Sequence, residues 1–151
     1  MIQNERTASP AAPTRIIRLA RLIYEAAQAR VYAGLAGEGF AEIRPAHSVI
    51  FRNIAPEGSR ASDLAQRAGI TKQSVSYLIE TLEADGFAET IPDPTDGRAR
   101  LVRLTRRGNA ALATLNRLSD AVEAECIEGL PESRIRALRA DLEQIMVAMQ
   151  R

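Results

Sequence analysis

Between Thr71 and Leu104 the hydrophobic residues change period, and that change constrains the fold more than any other feature of the chain. Val75, Leu78, Ile79 and Leu82 recur at i, i+3, i+4 and i+7, the spacing of one buried helix face. Thr71 is placed to cap the start of that helix and Gly86 to close it. From Phe87 the pattern becomes strand-like: Phe87, Glu89 and Ile91 lead to a turn-rich tip, Pro92-Asp93-Pro94-Thr95-Asp96-Gly97, and Arg100 to Leu104 return. The prediction is a helix running straight into a hairpin that spans roughly Glu89 to Thr105.

The flanking sequence reads as helices. Apolar residues at Ile16, Leu19, Ala20, Ile23, Ala27 and Val31, with a second stripe at Ile17, Tyr24 and Leu35, predict a helix from Arg15 to about Ala33, capped by Thr14. A helix with two apolar stripes needs two partners. The three glycines between Gly34 and Ile43 suggest a connection, and Pro45 then opens a short helix carrying Val49, Ile50 and Ile54 that ends before Pro56. After a turn at Pro56-Glu57-Gly58, Ser62 is expected to cap a helix over Asp63 to Ala68, ended by Gly69. Thr105 is expected to cap a long helix reaching about Glu128, and Pro131 to open a last one carrying Ile135, Leu138, Leu142, Ile145 and Met149. Residues 1–13, poor in apolar side chains, are expected to form a mobile arm.

Composition agrees with a mainly α chain carrying a small β-hairpin. Of 151 residues 46% are hydrophobic, only 4% are aromatic, and Trp is absent. One histidine and one cysteine leave no material for a disulfide, a metal-spaced cluster or a nucleophile–histidine pair, and no glycine-rich phosphate loop is present. No enzymatic activity, metal or cofactor is therefore expected. Without an apolar run of about 20 residues or an apolar leader, the expectation is a cytoplasmic protein with no membrane partner. The net charge of +1 is uninformative, since a polyanion responds to a local basic face.

Such a face exists. Five arginines and no acid lie between Arg98 and Arg107, a density suited to phosphate. An arginine near a hairpin tip suits a DNA minor groove. Gly97 is expected to allow the tight turn, and Asp96 to aim the Arg98 guanidinium through a charge-assisted bond. Arg103, Arg106 and Arg107 are equally readable as solvent-facing residues of an amphipathic hairpin. Opposite the apolar stripe of Thr71–Gly86, Gln73, Ser76, Tyr77 and Glu80 face outward, with Lys72 and Ser74 at the edges. Gln reads adenine edges, Ser pairs with a base or a phosphate, and Lys72 reaches phosphate or guanine. Two short helices joined at Gly69 are an arrangement in which the second enters the major groove. The alternative is a solvated surface face.

Ser62-Asp63-Leu64-Ala65, Gly69-Ile70-Thr71-Lys72-Gln73-Ser74-Val75-Ser76, Leu82-Glu83-Ala84-Asp85-Gly86, and Asp96-Gly97-Arg98 leading to Leu104-Thr105 together resemble the MarR family of bacterial transcriptional regulators. The resemblance implies a winged helix-turn-helix over residues 44–105, an N-terminal dimerisation helix and connection over 14–43, and a long helix with a C-terminal dimerisation helix over 106–151. It further implies a homodimer on a palindromic double-stranded DNA operator, repression, and release by a small aromatic or anionic ligand. The DNA-contacting set would be Ser62, Lys72, Gln73, Ser74, Ser76, Tyr77, Asp96, Arg98 and Arg100. Tyr77 stands where many relatives carry Arg or another polar residue, and Arg44 where a small cap is common. Ligand candidates by location are Tyr24, His47 and Phe51. His47 is otherwise a structural residue or a titrating switch. Cys126, among Glu123, Glu125 and Glu128, is poorly placed for a reactive thiol. The competing reading is a winged-helix adaptor that acts through protein contacts without ligand control.

Overall fold

The computed structural model describes residues 15–150; the arm expected over residues 1–13 and the Thr14 cap lie outside them. Among the described residues the chain is mainly helical with one antiparallel hairpin. The first helix, α1, is Ile16–Gly37, and it continues past the expected end near Ala33. Gly34 lies where the long helix α5, Arg106–Ile127, crosses α1: a Cβ there would sit 3.0 Å from Leu118 Cδ2. The glycine read as a linker residue is a close-approach residue. Leu35, fully buried one position later, anchors the extra turn. Arg117 to Glu38 at 2.6 Å, and Arg30 to Glu125, tie the two helices along their exposed flanks.

The short helix after Pro45 divides into a 3-10 turn, Pro45–His47, and α2, Ser48–Asn53. Next comes α3, Ala61–Ala68, whose start corrects the expectation at Ser62. Arg60 occupies the N-cap position, and its carbonyl accepts from Asp63 and Leu64 N–H, so Ser62 already lies inside the first turn. Burial of both Leu64 and Ala65 sets that phase. Gly69 closes α3 with φ +66, as a left-handed residue should. The fourth helix, α4, is Lys72–Ala84, and Thr71 caps it by accepting from Ser74 N–H at 3.1 Å. Gly86, with φ +73, turns the chain so that Phe87 N–H reaches the Leu82 carbonyl at 2.7 Å.

The hairpin consists of β1, Ala88–Asp93, and β2, Asp96–Leu104, paired from Ala88 opposite Leu104 to Asp93 opposite Asp96. The tip is therefore Pro94-Thr95, tighter than the six-residue turn expected. Gly97 does not make the turn: it lies in β2 without a positive φ. Asp93 makes it instead, accepting from both the backbone N–H and the hydroxyl of Thr95 at 2.8 and 2.7 Å. Ser59 adds a bridge to Val102, two 2.9 Å bonds that lay the segment before α3 along the hairpin. Thr105 caps α5 by accepting from Gly108 N–H, and α6, Glu132–Met149, follows Pro131.

One core joins these elements. Leu35, Ile50, Leu64, Val75, Leu82 and Phe87 are its fully buried members, one or more from each of α1 to α4 and from the α4–β1 junction. The ends of the fold contrast with it. Ile16, Ile17 and Ile23 on α1, and Leu142, Met146 and Met149 on α6, are exposed, and no α6 residue is buried. No described helix is long and apolar enough to cross a membrane.

Candidate nucleic-acid interface

The Thr71 cap and the buried stripe of Val75, Ile79 and Leu82 fix the rotation of α4, and that rotation leaves Lys72, Gln73, Ser74, Ser76 and Tyr77 exposed together. Tyr77, 61% exposed, projects a large flat side chain from this face. Ser74 has a local task as well, its hydroxyl lying 2.8 Å from that of Thr71. Ser62, exposed on the first turn of α3, donates to Asp63 at 3.2 Å. The acids of α4, Glu80 and Glu83, come after the exposed polar set, so the helix presents its uncompensated positive end first.

Ser76, Glu80 and Glu83 of α4 share a groove with Thr90, Arg100 and Val102 of the hairpin, so the structure brings Ser76 and Arg100 together. Arg100 Nη2 is 3.5 Å from the Thr90 carbonyl. Of the remaining arginines in the basic run, Arg103 pairs with Glu89 across the strands at 2.8 Å. Arg107 donates to Glu42 and to the Asp85 carbonyl and stacks 4.1 Å over the Phe87 ring. Arg98 and Arg106 have no side-chain partner among the described residues. The run thus divides into arginines paired within the fold and arginines whose guanidinium is unpaired among the described residues.

Asp96 does not aim the Arg98 guanidinium. Its Oδ1 accepts from the Arg98 backbone N–H at 3.2 Å, and its Oδ2 faces Arg60 Nη2 at 3.3 Å. With one oxygen taken by the Arg98 backbone and the other by Arg60, the carboxylate fixes the backbone and leaves the exposed guanidinium unpaired. The anchor that sequence reasoning missed is Arg60, which also donates through Nε and Nη2 to Asp93 at 3.1 and 2.7 Å. Asp93 is 6% exposed, and the Thr95 and Arg60 donors hold its carboxyl down at about pKa 2. Only the Asp-rich tip hinted at this, because its cation comes from a distant segment.

The three ligand candidates are placed differently. Tyr24 is exposed on α1 and accepts from Gln28 at 2.8 Å. Phe51 is buried in the core. His47, 1% exposed, has both ring nitrogens engaged: Nδ1 with Arg44 N–H at 3.2 Å and Nε2 with Thr81 Oγ1 at 3.1 Å. The Arg44 cap thus works through the histidine that follows it. Tyr32, not singled out from sequence, has its hydroxyl buried with no hydrogen-bond partner among the described residues. Burial pushes that phenol's pKa up, against the nearby Ser48 hydroxyl.

Residues 43–99 match the model of the MarR family. Among curated proteins the chain is 24% identical over 87 residues to the transcriptional repressor IacR of Pseudomonas putida, covering 58% of this chain and 52% of that one. It is 35% identical over 57 residues to the transcriptional activatory protein BadR of Rhodopseudomonas palustris, covering 38% and 33%. The chain thus matches about half and about a third of the length of these two relatives. Among solved structures it is similar to FabT of Streptococcus pneumoniae in complex with DNA, with a TM-score of 0.78 at 21% identity over 90% of this chain and 96% of that one. It is also similar to CouR of Rhodococcus jostii bound to p-coumaroyl-CoA, with a TM-score of 0.69 at 22% identity over 91% and 95%. These two likenesses are likenesses of fold.

Proposed function

We infer that this chain, which belongs with the MarR family through its winged-helix segment, binds a palindromic double-stranded DNA operator as a homodimer and regulates transcription from it. The observation that carries this reading is the pairing of the exposed first two turns of α4, which hold no acid before Glu80, with a hairpin whose backbone is clamped by Arg60 while Arg98 is left outward. In this reading α4 enters the major groove, where Gln73, Ser76 and Tyr77 meet base edges. Lys72, Ser74 and Ser62 meet phosphate. Arg98 enters the flanking minor groove, with Asp96 as its backbone support and Arg100 beside Ser76 on the groove wall. The exposed apolar residues of α1 and α6 are covered by a second copy, which doubles the contacts on a two-fold-symmetric site.

The proposed outcome is repression, by an operator placed where the bound dimer would exclude polymerase. A small aromatic or anionic effector would bind between the dimer helices and the winged helix, on the side of the exposed Tyr24, since His47 and Phe51 are taken up by the core. The buried Tyr32 hydroxyl of α1, beside Ser48 of α2, would supply a polar handle. Selection of bound fragments from genomic DNA, followed by mobility shift over a salt series, tests the reading. Specific retention with affinity falling steeply in salt is expected. Absence of any retained fragment would favour the adaptor.

A further inference from the structure

Two bonds on one imidazole ring fasten α4 to the segment before α2. The Thr81 hydroxyl donates its proton to the Leu78 carbonyl at 2.8 Å, so toward His47 Nε2 it accepts. Nδ1 in turn accepts from the Arg44 backbone N–H. Both partners require the same ring: neutral, with its proton on Nε2. Thr81 lies one helical turn after Tyr77, on the same helix that carries the exposed polar face.

We propose that His47 is a positioning residue for the recognition helix, holding α4 in its reading orientation through Thr81 while the ring is neutral and releasing it when the ring takes a second proton. This rests on the reading of α4 as the DNA-contacting helix. An imidazolium would set an N–H donor on Nδ1 against the Arg44 N–H, with no room to turn in a ring that is 1% exposed. Burial, and then the Arg44 charge, lower the pKa of His47, while Asp85 at the end of α4 opposes them. The charged residue of α2, Arg52, acts on Tyr32 instead. Because the folded value lies below the unfolded one, the held state is fully favoured above about pH 6.5 and is lost as pH falls through the folded value. His47 is the only histidine in the chain, so no other side chain with an unperturbed pKa titrates in that window.

The test uses the full chain and a genomic fragment it retains at pH 7.5, with wild type, His47→Gln and Thr81→Val compared from about pH 7 to pH 5 at fixed salt. Gln keeps a donor toward Thr81 and does not titrate. Wild-type affinity should fall, approaching about tenfold per pH unit below the folded value of the free protein, while His47→Gln stays flat. Thr81→Val should bind more weakly than wild type at pH 7.5 with unchanged helix content, which keeps the test open should His47→Gln misfold. A flat wild-type profile, or a Thr81→Val protein that binds as wild type does, overturns the proposal. A wild type that retains no DNA at pH 7.5 overturns the DNA-binding premise itself, and is thereby distinguished.

Discussion

Arg60 and Asp93, thirty-three residues apart in sequence, meet through two charge-assisted hydrogen bonds of 3.1 and 2.7 Å that fasten the start of α3 to the tip of the hairpin. The wing is a two-stranded ribbon, and such ribbons are marginal alone. This clamp, with the Ser59–Val102 bridge, makes it part of the domain.

Arg60→Ala should therefore weaken DNA binding without touching DNA, by freeing the strand that carries Arg98. Helix content by circular dichroism should be unchanged, and a loss of about tenfold in affinity at fixed salt is expected, the scale of one displaced contact. The Asp93 partner predicts a pH signature. Its carboxyl is held at about 2, below the ordinary value of 3.8, so its contribution is fully present above about pH 4 and is lost as pH falls through 2. Acid unfolding curves of Asp93→Asn should lack that part of the slope.

Arg98→Ala and Gln73→Ala should fail in different ways. The Arg98 guanidinium has no intramolecular partner among the described residues, so its removal should cost about 1–3 kcal/mol of operator binding and leave the dimer intact. Gln73 sits on the exposed face of α4, where on the proposed reading its amide would select among bases. Its loss should change which sequence is enriched in a selection more than it changes affinity for mixed DNA. Arg103→Ala is the control, since its guanidinium already belongs to Glu89.

The sequence carried the helices and, Ser62 apart, the described caps and closing glycines because capping and periodicity are local. Thr71, Gly69, Gly86 and Thr105 all act within a few residues of themselves, and each does as expected. What a linear reading does not contain is the partner brought from elsewhere. Gly34 looked like a linker because Leu118 is invisible from its neighbours. Asp96 looked like a guide for Arg98 because Arg60 is far away in sequence. His47 was open because its second bond goes to Thr81, on another helix. The exposed set on α4 was legible, since one buried stripe fixes the opposite face; the division of the arginines was not.

The apolar ends of α1 and α6 predict assembly. Ile23 and Leu142 are 60% and 47% exposed, far from the compact core, and a charge on either is harmless to a monomer. Ile23→Glu with Leu142→Glu should shift sedimentation from dimer to monomer while thermal unfolding of the winged helix persists. Operator affinity should then fall by about a hundredfold or more, because the second half-site is no longer delivered at high effective concentration. A protein that still sediments as a dimer would place the interface elsewhere.

Gly108 and Gly34 are both helical glycines, and replacing them by Ala should have opposite severity. Alanine favours a helix interior over glycine by about 1 kcal/mol. At Gly34 the added methyl meets Leu118 Cδ2 at 3.0 Å, the far end of a side chain with rotamers to spare, so the strain and the helical gain nearly cancel. At Gly108 it would lie 1.9 Å from the Phe87 carbonyl oxygen, which also accepts from Thr105 N–H at 3.0 Å. That is backbone against backbone, at the junction where α4, the hairpin and α5 meet, and neither side has a rotamer to change. Gly108→Ala must displace the α5 start from Phe87, break the Thr105 bond or both, at a cost above the usual overpacking range of about 1–3 kcal/mol. Thermal melts should show Gly34→Ala within a few degrees of wild type and Gly108→Ala lower by about 10 °C or unfolded. Equal melting temperatures would mean that α5 does not start against Phe87.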